Sequence, residues 1–471
     1  MSFVKPTLVA IKLVLKVAFM IDLTADLTSV WAAEYKHRRQ QLMEKIGTGV
    51  AIFRSAPHAV MHNDVDYNFR QDSDFFYITG FNEPNAVAIL APNHDEHKFI
   101  LFVRPKDLKA ETWSGRRVGV DVAKEKFGAD EVYSISDLNE HLSKYLKTGD
   151  RIFYRMGNDP KFDQVVIRNW QALMRKYPRK GTGPIAIEDP RAKLHSIRMV
   201  KSELELTLMQ RAADIAVEAH NRARVLATPG RYEYEIEAEL DYRFRRSGGL
   251  GPAYPSIVAS GYNACILHYV DNNQQMQAGD LLLIDAGCSV DYYNSDITRT
   301  FPVDGKFTTE QKILYELVLK AQEAAIAEVQ PGKPYMDHHN LAVRIITEGL
   351  VELGLLKGDI DDLIEKKLYE TFYMHKTGHW LGLDVHDVGI YQCGDDPFYL
   401  LAGHVLTVEP GIYISPDADH PEDHREEQPP IGDRWKGIGI RIEDNIAVTE
   451  TGNKNLTEAL PKQISELESG I

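Results

Sequence analysis

The segment MHKTGHWLGLDVHD, Met374 to Asp387, holds three histidines, His375, His379 and His386, among two glycines and two aspartates. Imidazoles bind divalent metals and exchange protons near neutral pH. Such a cluster does chemistry only if other segments supply partners. Three do so in acidic residues. Asp285 closes the apolar run LLLID (281–285), and Asp296 opens DITRTFPV (296–303) after a turn-rich stretch with Gly287 and Asn294. If the two runs pair as a hairpin, both carboxylates face one cavity; otherwise aspartate simply flanks strands because it favours turns.

Glu409 follows the strand-like VLTV (405–408), and Pro410-Gly411 stops the strand at once. A glutamate ending a buried strand is costly unless it is paired or bound to a cation. In GIGIRIEDN (437–445), Ile438, Ile440 and Ile442 alternate with Gly439, Arg441 and Glu443. Period two puts Arg441 and Glu443 on the face opposite the isoleucines, where exposed edge charge is the competing explanation. Together the segments offer Asp285, Asp296, His379, Glu409 and Glu443. Four carboxylates and one imidazole favour Mn²⁺, Co²⁺ or Fe²⁺ over a thiolate-rich structural zinc site. They are numerous enough to bridge two ions roughly 3.5–4 Å apart, an arrangement suited to hydrolysis.

The elements that must position these groups are legible in part. Short apolar runs, AVAILA (86–91) and FILFV (99–103), read as strands among helical stretches such as YKHRRQQLMEKI (35–46). GTGPIAIEDP (181–190) reads as a loop. A long helix is expected over 202–227, with Ser202 as N-cap and Glu205 completing a capping box. Further helices are expected over EYEIEAELDYRFRRS, from Thr309 to Pro331-Gly332, and over LAVRIITEGLVELG. Grouped helices and grouped strands (256–260, 281–285, 296–303, 405–410, 440–448) indicate α+β rather than a doubly wound sheet. A boundary near residue 195 divides a domain over 34–195 from one over 196–471.

The chain has 471 residues, 44% hydrophobic and 26% charged, with a net charge of −15. That acidity disfavours nucleic-acid binding. Cys265, Cys288 and Cys393 form no CxxC pair and no disulfide framework, which fits a reducing compartment and a cytoplasmic location. Residues 1–33 read as an extension of poor folding tendency. TLVAIKLVLKVAFMI (7–21) is apolar but carries Lys12 and Lys16, which weakens both a secretory and a membrane-spanning reading. Ala32-Ala33 has the small side chains of a cleavage site, which keeps export as the alternative, and Met20 is a second candidate start.

In motif order, IDAG, SDITRT, GHWLGLDVHD, TVEPG and RIED, the sequence resembles the metallopeptidase family with the pita-bread fold. Methionine aminopeptidase, prolidase and aminopeptidase P belong to it. The resemblance is strongest to bacterial-type aminopeptidase P. It also takes in ILHY, EPGIYI, SDFFYITGFNEP (73–84) and AETWSGRRVG (110–119), and covers roughly residues 34–460. It implies a C-terminal pita-bread catalytic domain, creatinase/aminopeptidase-like, behind a smaller α/β N-terminal domain. It implies two divalent ions per subunit, Mn²⁺ first, on Asp285, Asp296, His379, Glu409 and Glu443. It further implies Xaa-Pro peptide hydrolysis by a hydroxide bridging the two ions, with Glu409 moving the proton and His268 and His386 contacting substrate. Arg441, Tyr413 and His375 are expected beside them, and Trp113 at a neighbouring subunit's site in a homotetramer, with a dimer as the alternative. Asp74 matches an acidic residue at a subunit contact or at the substrate's N-terminal end. The remaining histidines, among them His338 and His339, have no motif around them and are expected at the surface or in structural roles. The segment 416–436 reads as a solvent-exposed loop able to cover the cleft. The alternatives are a prolidase-type dipeptidase, a relative that binds peptides without catalysis, and metal-independent creatine-type hydrolysis.

Overall fold

The computed structural model describes residues 27–468. The apolar stretch 7–21 and Met20 lie outside them. The helix Leu27–Ile46 begins inside the expected extension, so Ala32 and Ala33 are helical. Trp31 lies 5.7 Å from the Tyr35 ring, and the Arg38 guanidinium stacks over both. Among the described residues no helix is long and apolar enough to cross a membrane.

The chain divides into two compact units, Met1–Arg198 and Met199–Ile471. The first is built on a six-stranded mixed sheet, in the order Glu131–Ser134, Phe99–Val103, Val87–Leu90, Val50–Arg54, Arg151–Phe153, Ala186–Glu188. Its middle strands are buried apolar runs, and Leu142, Leu146 and Val166 of the flanking helices complete the core. The last strand falls where the glycines and prolines of 181–190 read as a loop. It is three residues long and joins the sheet edge by parallel pairing with Arg151–Phe153, a contact distant in sequence that no local pattern announces.

The second unit has the grouped arrangement of an α+β fold. The helix Glu203–Leu226 starts at Ser202, whose hydroxyl accepts the Glu205 N–H in a full capping box. The helices Glu233–Arg246, Thr309–Glu328 and Asp337–Glu352 follow. Their apolar faces, with Leu240, Phe244, Leu314, Val318 and Ile346 buried, pack on short antiparallel sheets in one core. Leu281–Asp285 pairs on one side with Ile257–Ser260 and on the other with Thr298–Pro302. Val405–Val408 pairs with Asp444–Val448, and Gly411–Ile414 with Ile438–Arg441. The run expected as one strand over 440–448 is therefore two strands in two sheets, broken at Ile442-Glu443. The segment 416–436 is irregular apart from a turn of 3₁₀ helix at Asp433–Trp435. It is not wholly solvated: His420 is buried with Nε2 near the Pro429 carbonyl, and Gln428 exchanges hydrogen bonds with the Lys357 backbone.

Candidate metal centre

The hairpin geometry decides where the first two aspartates go. Asp285 ends its strand opposite Thr298, so Asp296, two residues earlier, stands beside it. Gly287 makes this approach possible, because a Cβ there would sit 1.8 Å from the Ser295 carbonyl oxygen. Asn445 holds Asp296 by its backbone, accepting its N–H at 3.0 Å and donating to its carbonyl. His379 lies on a segment that runs alongside Val405–Val408: Thr407 N–H donates to His379 O at 2.9 Å and Glu409 N–H to Thr377 O at 2.7 Å. Histidine and glutamate are thus set by one pairing. Gly378 permits it, since a Cβ would lie 2.0 Å from the Thr407 carbonyl oxygen. Glu443 sits at the break between its two strands, 1% exposed, so the edge-charge explanation for it and for Arg441 fails.

These side chains converge on a cavity of about 980 Å³. Asp296, His379 and Glu443 each offer a ligand atom, all within 4.8 Å of one another. His379 Nε2 stands 3.3 Å from Asp296 and 3.6 Å from Glu409. Its Nδ1 faces the Trp380 carbonyl at 2.9 Å, which turns Nε2 toward the carboxylates as the atom a metal would take in place of its proton. Asp285 takes a hydrogen bond from Arg441 Nη2 at 2.6 Å. Arg441 also donates to Thr298 Oγ1 and Tyr413 OH, and Thr298 passes a hydrogen bond to Glu443 at 2.7 Å. Tyr413 OH reaches His375 Nε2 at 2.8 Å.

Four carboxylates, three buried and Glu409 half-buried, around one guanidinium and one imidazole are electrostatically unfinished. Burial, with the charges of Asp296, Glu409 and Asp285, drives the Glu443 carboxyl far above its ordinary range. Burial raises Glu409 to about 7 against the pull of His379 and Arg441. Burial opposes charge on His379, but the Asp296 hydrogen bond and the Glu409 and Asp296 charges outweigh it and hold its pKa at about 9. A site that pushes Asp285, Glu409, Glu443 and its histidine up calls for added positive charge. Hard oxygen donors with one imidazole fit divalent cations.

His268 and His386 line the same cavity, as do His375 and Arg441; the His386 ring centre is 4.1 Å from that of His379. Trp113 belongs to the first unit, on the helix Leu108–Ser114, and is 88% exposed. No residue of 416–436 lines the cavity among the described residues, contrary to the covering role expected of that loop. Sequence reasoning passed over Tyr254, whose hydroxyl sits between Asp285, at 2.5 Å, and Asp296. It also passed over Thr298, and over His338 and His339, which line the cavity beside Lys376. Tyr254 stands in no motif, and Thr298 falls inside one where only the aspartate drew notice.

Residues 207–450 match the model of metallopeptidase family M24, and residues 35–154 that of the aminopeptidase P N-terminal domain. The chain is 44% identical over 440 residues to a Xaa-Pro aminopeptidase of Escherichia coli K12, covering 93% of this chain and 97% of that one. It is 32% identical to human Xaa-Pro aminopeptidase 3, covering 95% and 87%. Among solved structures, the Pseudomonas aeruginosa aminopeptidase PepP superposes with a TM-score of 0.87 at 44% identity, over 93% and 97% of the two chains.

Proposed function

Because the chain belongs to metallopeptidase family M24, we propose that it works as a metal-dependent Xaa-Pro aminopeptidase, a hydrolase that removes the first residue from peptides with proline second. The observation that carries this reading is the set of four carboxylates and His379, facing one cavity with His268 and His386. Asp285, Asp296, His379, Glu409 and Glu443 would hold two divalent ions, Mn²⁺ by our reading of the oxygen-rich donor set. When bound, divalent ions acidify water and polarise a carbonyl oxygen.

The protein's own groups do the rest. Glu409, which lines the cavity beside His379, accepts a proton from the attacking water and releases it to the proline nitrogen as the amide breaks. His268 and His386 hydrogen-bond the scissile carbonyl and its proline side. Arg441 donates to Asp285 and offsets part of the burial that raises its pKa, and Tyr413 fixes the ring of His375. Proline has no N–H and a fixed φ, so a site for extended peptides loses a hydrogen bond and meets the ring. A dedicated cavity answers that difficulty. We assign residues 34–195 and 196–471 to an N-terminal and a catalytic domain. We further infer a cytoplasmic homotetramer in which the exposed Trp113 serves a neighbouring subunit's substrate.

The test is hydrolysis of an Arg-Pro-Pro oligopeptide beside an Xaa-Pro dipeptide, after EDTA and with Mn²⁺ restored. The expected result is metal-dependent release of the first residue alone from the long peptide, abolished in Asp285→Ala. Cleavage of dipeptides alone would make the enzyme a dipeptidase.

A further inference from the structure

Three side chains that line the cavity have no part in the reaction just described: His338, His339 and Lys376. His339 is 4% exposed. Its Nδ1 accepts the Thr377 backbone N–H at 3.2 Å and lies 2.8 Å from Thr377 Oγ1. A ring nitrogen that accepts an N–H carries no proton, so this network assigns the hydrogen of the neutral ring to Nε2. Burial and the adjacent Lys376 ammonium keep the ring neutral by lowering its pKa to about 3. Nε2 is 3.4 Å from Lys376 Nζ. Both atoms are donors, so neither satisfies the other. Among the described residues Lys376 takes part in no ion pair. His338, 1% exposed, turns Nδ1 to the Tyr335 carbonyl, and its buried Nε2 acceptor has no partner among the described residues.

Two donors side by side, one of them charged, match the two oxygens of a carboxylate. An unpaired buried acceptor nearby is what a peptide N–H would satisfy. Resting on the aminopeptidase reading above, we propose that His339 and Lys376 form a carboxylate-binding subsite that selects peptides carrying an acidic group. That group is either the C-terminal carboxylate of a short peptide or an Asp or Glu side chain.

Three matched pairs distinguish the sources on the Mn²⁺-loaded enzyme. They are Ala-Pro-Leu as acid and amide, Ala-Pro-Glu amide with Ala-Pro-Gln amide, and Glu-Pro-Leu amide with Gln-Pro-Leu amide. The expected result is a preference for the acidic member of at least one pair, of about three- to tenfold in kcat/KM and carried by KM. That preference falls to unity in Lys376→Met and survives in Lys376→Arg. A merely structural loss lowers both members alike and leaves the ratio intact. Identical ratios in the wild type and Lys376→Met for all three pairs overturn the proposal. Absence of any turnover is instead a failure of the aminopeptidase reading. The subsite is then read by calorimetric binding of Pro-Leu acid against its amide and of Pro-Glu amide against Pro-Gln amide, with the same two outcomes.

Discussion

At the scale of single residues, the candidate centre depends on groups that hold its proposed ligands as much as on those ligands themselves. Tyr254 is the sharpest case. Its hydroxyl is shared between Asp285 and Asp296, and burial with the Asp285, Asp296 and Glu443 charges drives its pKa far upward, so it stays a phenol and a donor. Removing it leaves two buried carboxylates repelling across the gap. We expect Tyr254→Phe to weaken metal binding about 10- to 100-fold, the range for groups that orient metal ligands. A Mn²⁺ titration by calorimetry reads this directly, and unchanged affinity would remove Tyr254 from the centre's support. The same residue shows what could be read in advance. Asp285, Asp296, His379, Glu409 and Glu443 stand out in the sequence as candidate ligands because each stands at a strand end or in a histidine cluster, where its residue type is costly or conspicuous, and all five line one cavity. Tyr254, Thr298 and His339 are ordinary in their local sequence and acquire a role only through contacts far along the chain.

Secondary-structure elements were legible where a local signal existed and missed where long-range pairing made them. The capping box at Ser202 marks its helix start in four letters, and the structure begins that helix at Glu203. The edge strand Ala186–Glu188 and the break at Ile442-Glu443 have no such signal. The close contact between Ile438–Arg441 and the 3₁₀ turn Gly261–Cys265 is another feature of this kind. A Cβ on Gly439 would lie 2.2 Å from the Ala264 carbonyl oxygen and 2.8 Å from Cys265 N. That turn leads into His268, and Arg441 lies two residues from the glycine. Gly439→Ala should therefore cost about 1–3 kcal/mol, the usual range for overpacking, and lower kcat/KM as well. A thermal melt beside steady-state kinetics checks both, and a variant with full activity would show that the contact does not position His268.

In the first unit, the helix Ser73–Thr79 is tied to Arg191–Arg198 by Asp74, which bonds Arg198 at 2.6 Å and His195 at 3.1 Å. Burial works against the carboxylate, but the His195 hydrogen bond and the Arg198 charge prevail and lower its pKa to about 2. A depressed acid stabilises the folded state above its unfolded pKa, and that stability disappears as pH falls through the folded value. Asp74→Asn should thus be about 2 kcal/mol less stable than wild type from neutral pH down to about 4. The gap should close between about 4 and 2. Urea melts at stepped pH measure it, and a gap that persists at pH 2 would place the effect in packing rather than charge.

On the scale of the whole molecule, the two units have separate cores, and the candidate ligands all belong to the second. Ligand binding stabilises only the folded form that holds the ligand. At a free ion concentration one hundred times Kd the gain is about 2.7 kcal/mol per site. For a unit of this size each kcal/mol moves the melting midpoint roughly 2–4 °C. The charge balance of the centre points the same way: without added positive charge, Glu443 and Glu409 are held well above their ordinary range, and ionising them at neutral pH weakens the second unit. Calorimetric scans should therefore show a transition of the second unit that falls by about 5–10 °C for each ion removed on EDTA treatment and recovers with Mn²⁺. The first unit, whose ionic tie at Asp74 needs no cation, should melt at the same temperature in both conditions. Equal shifts in both transitions would mean that the two cores unfold as one cooperative system, and the metal's contribution would then have to be assigned to the whole chain.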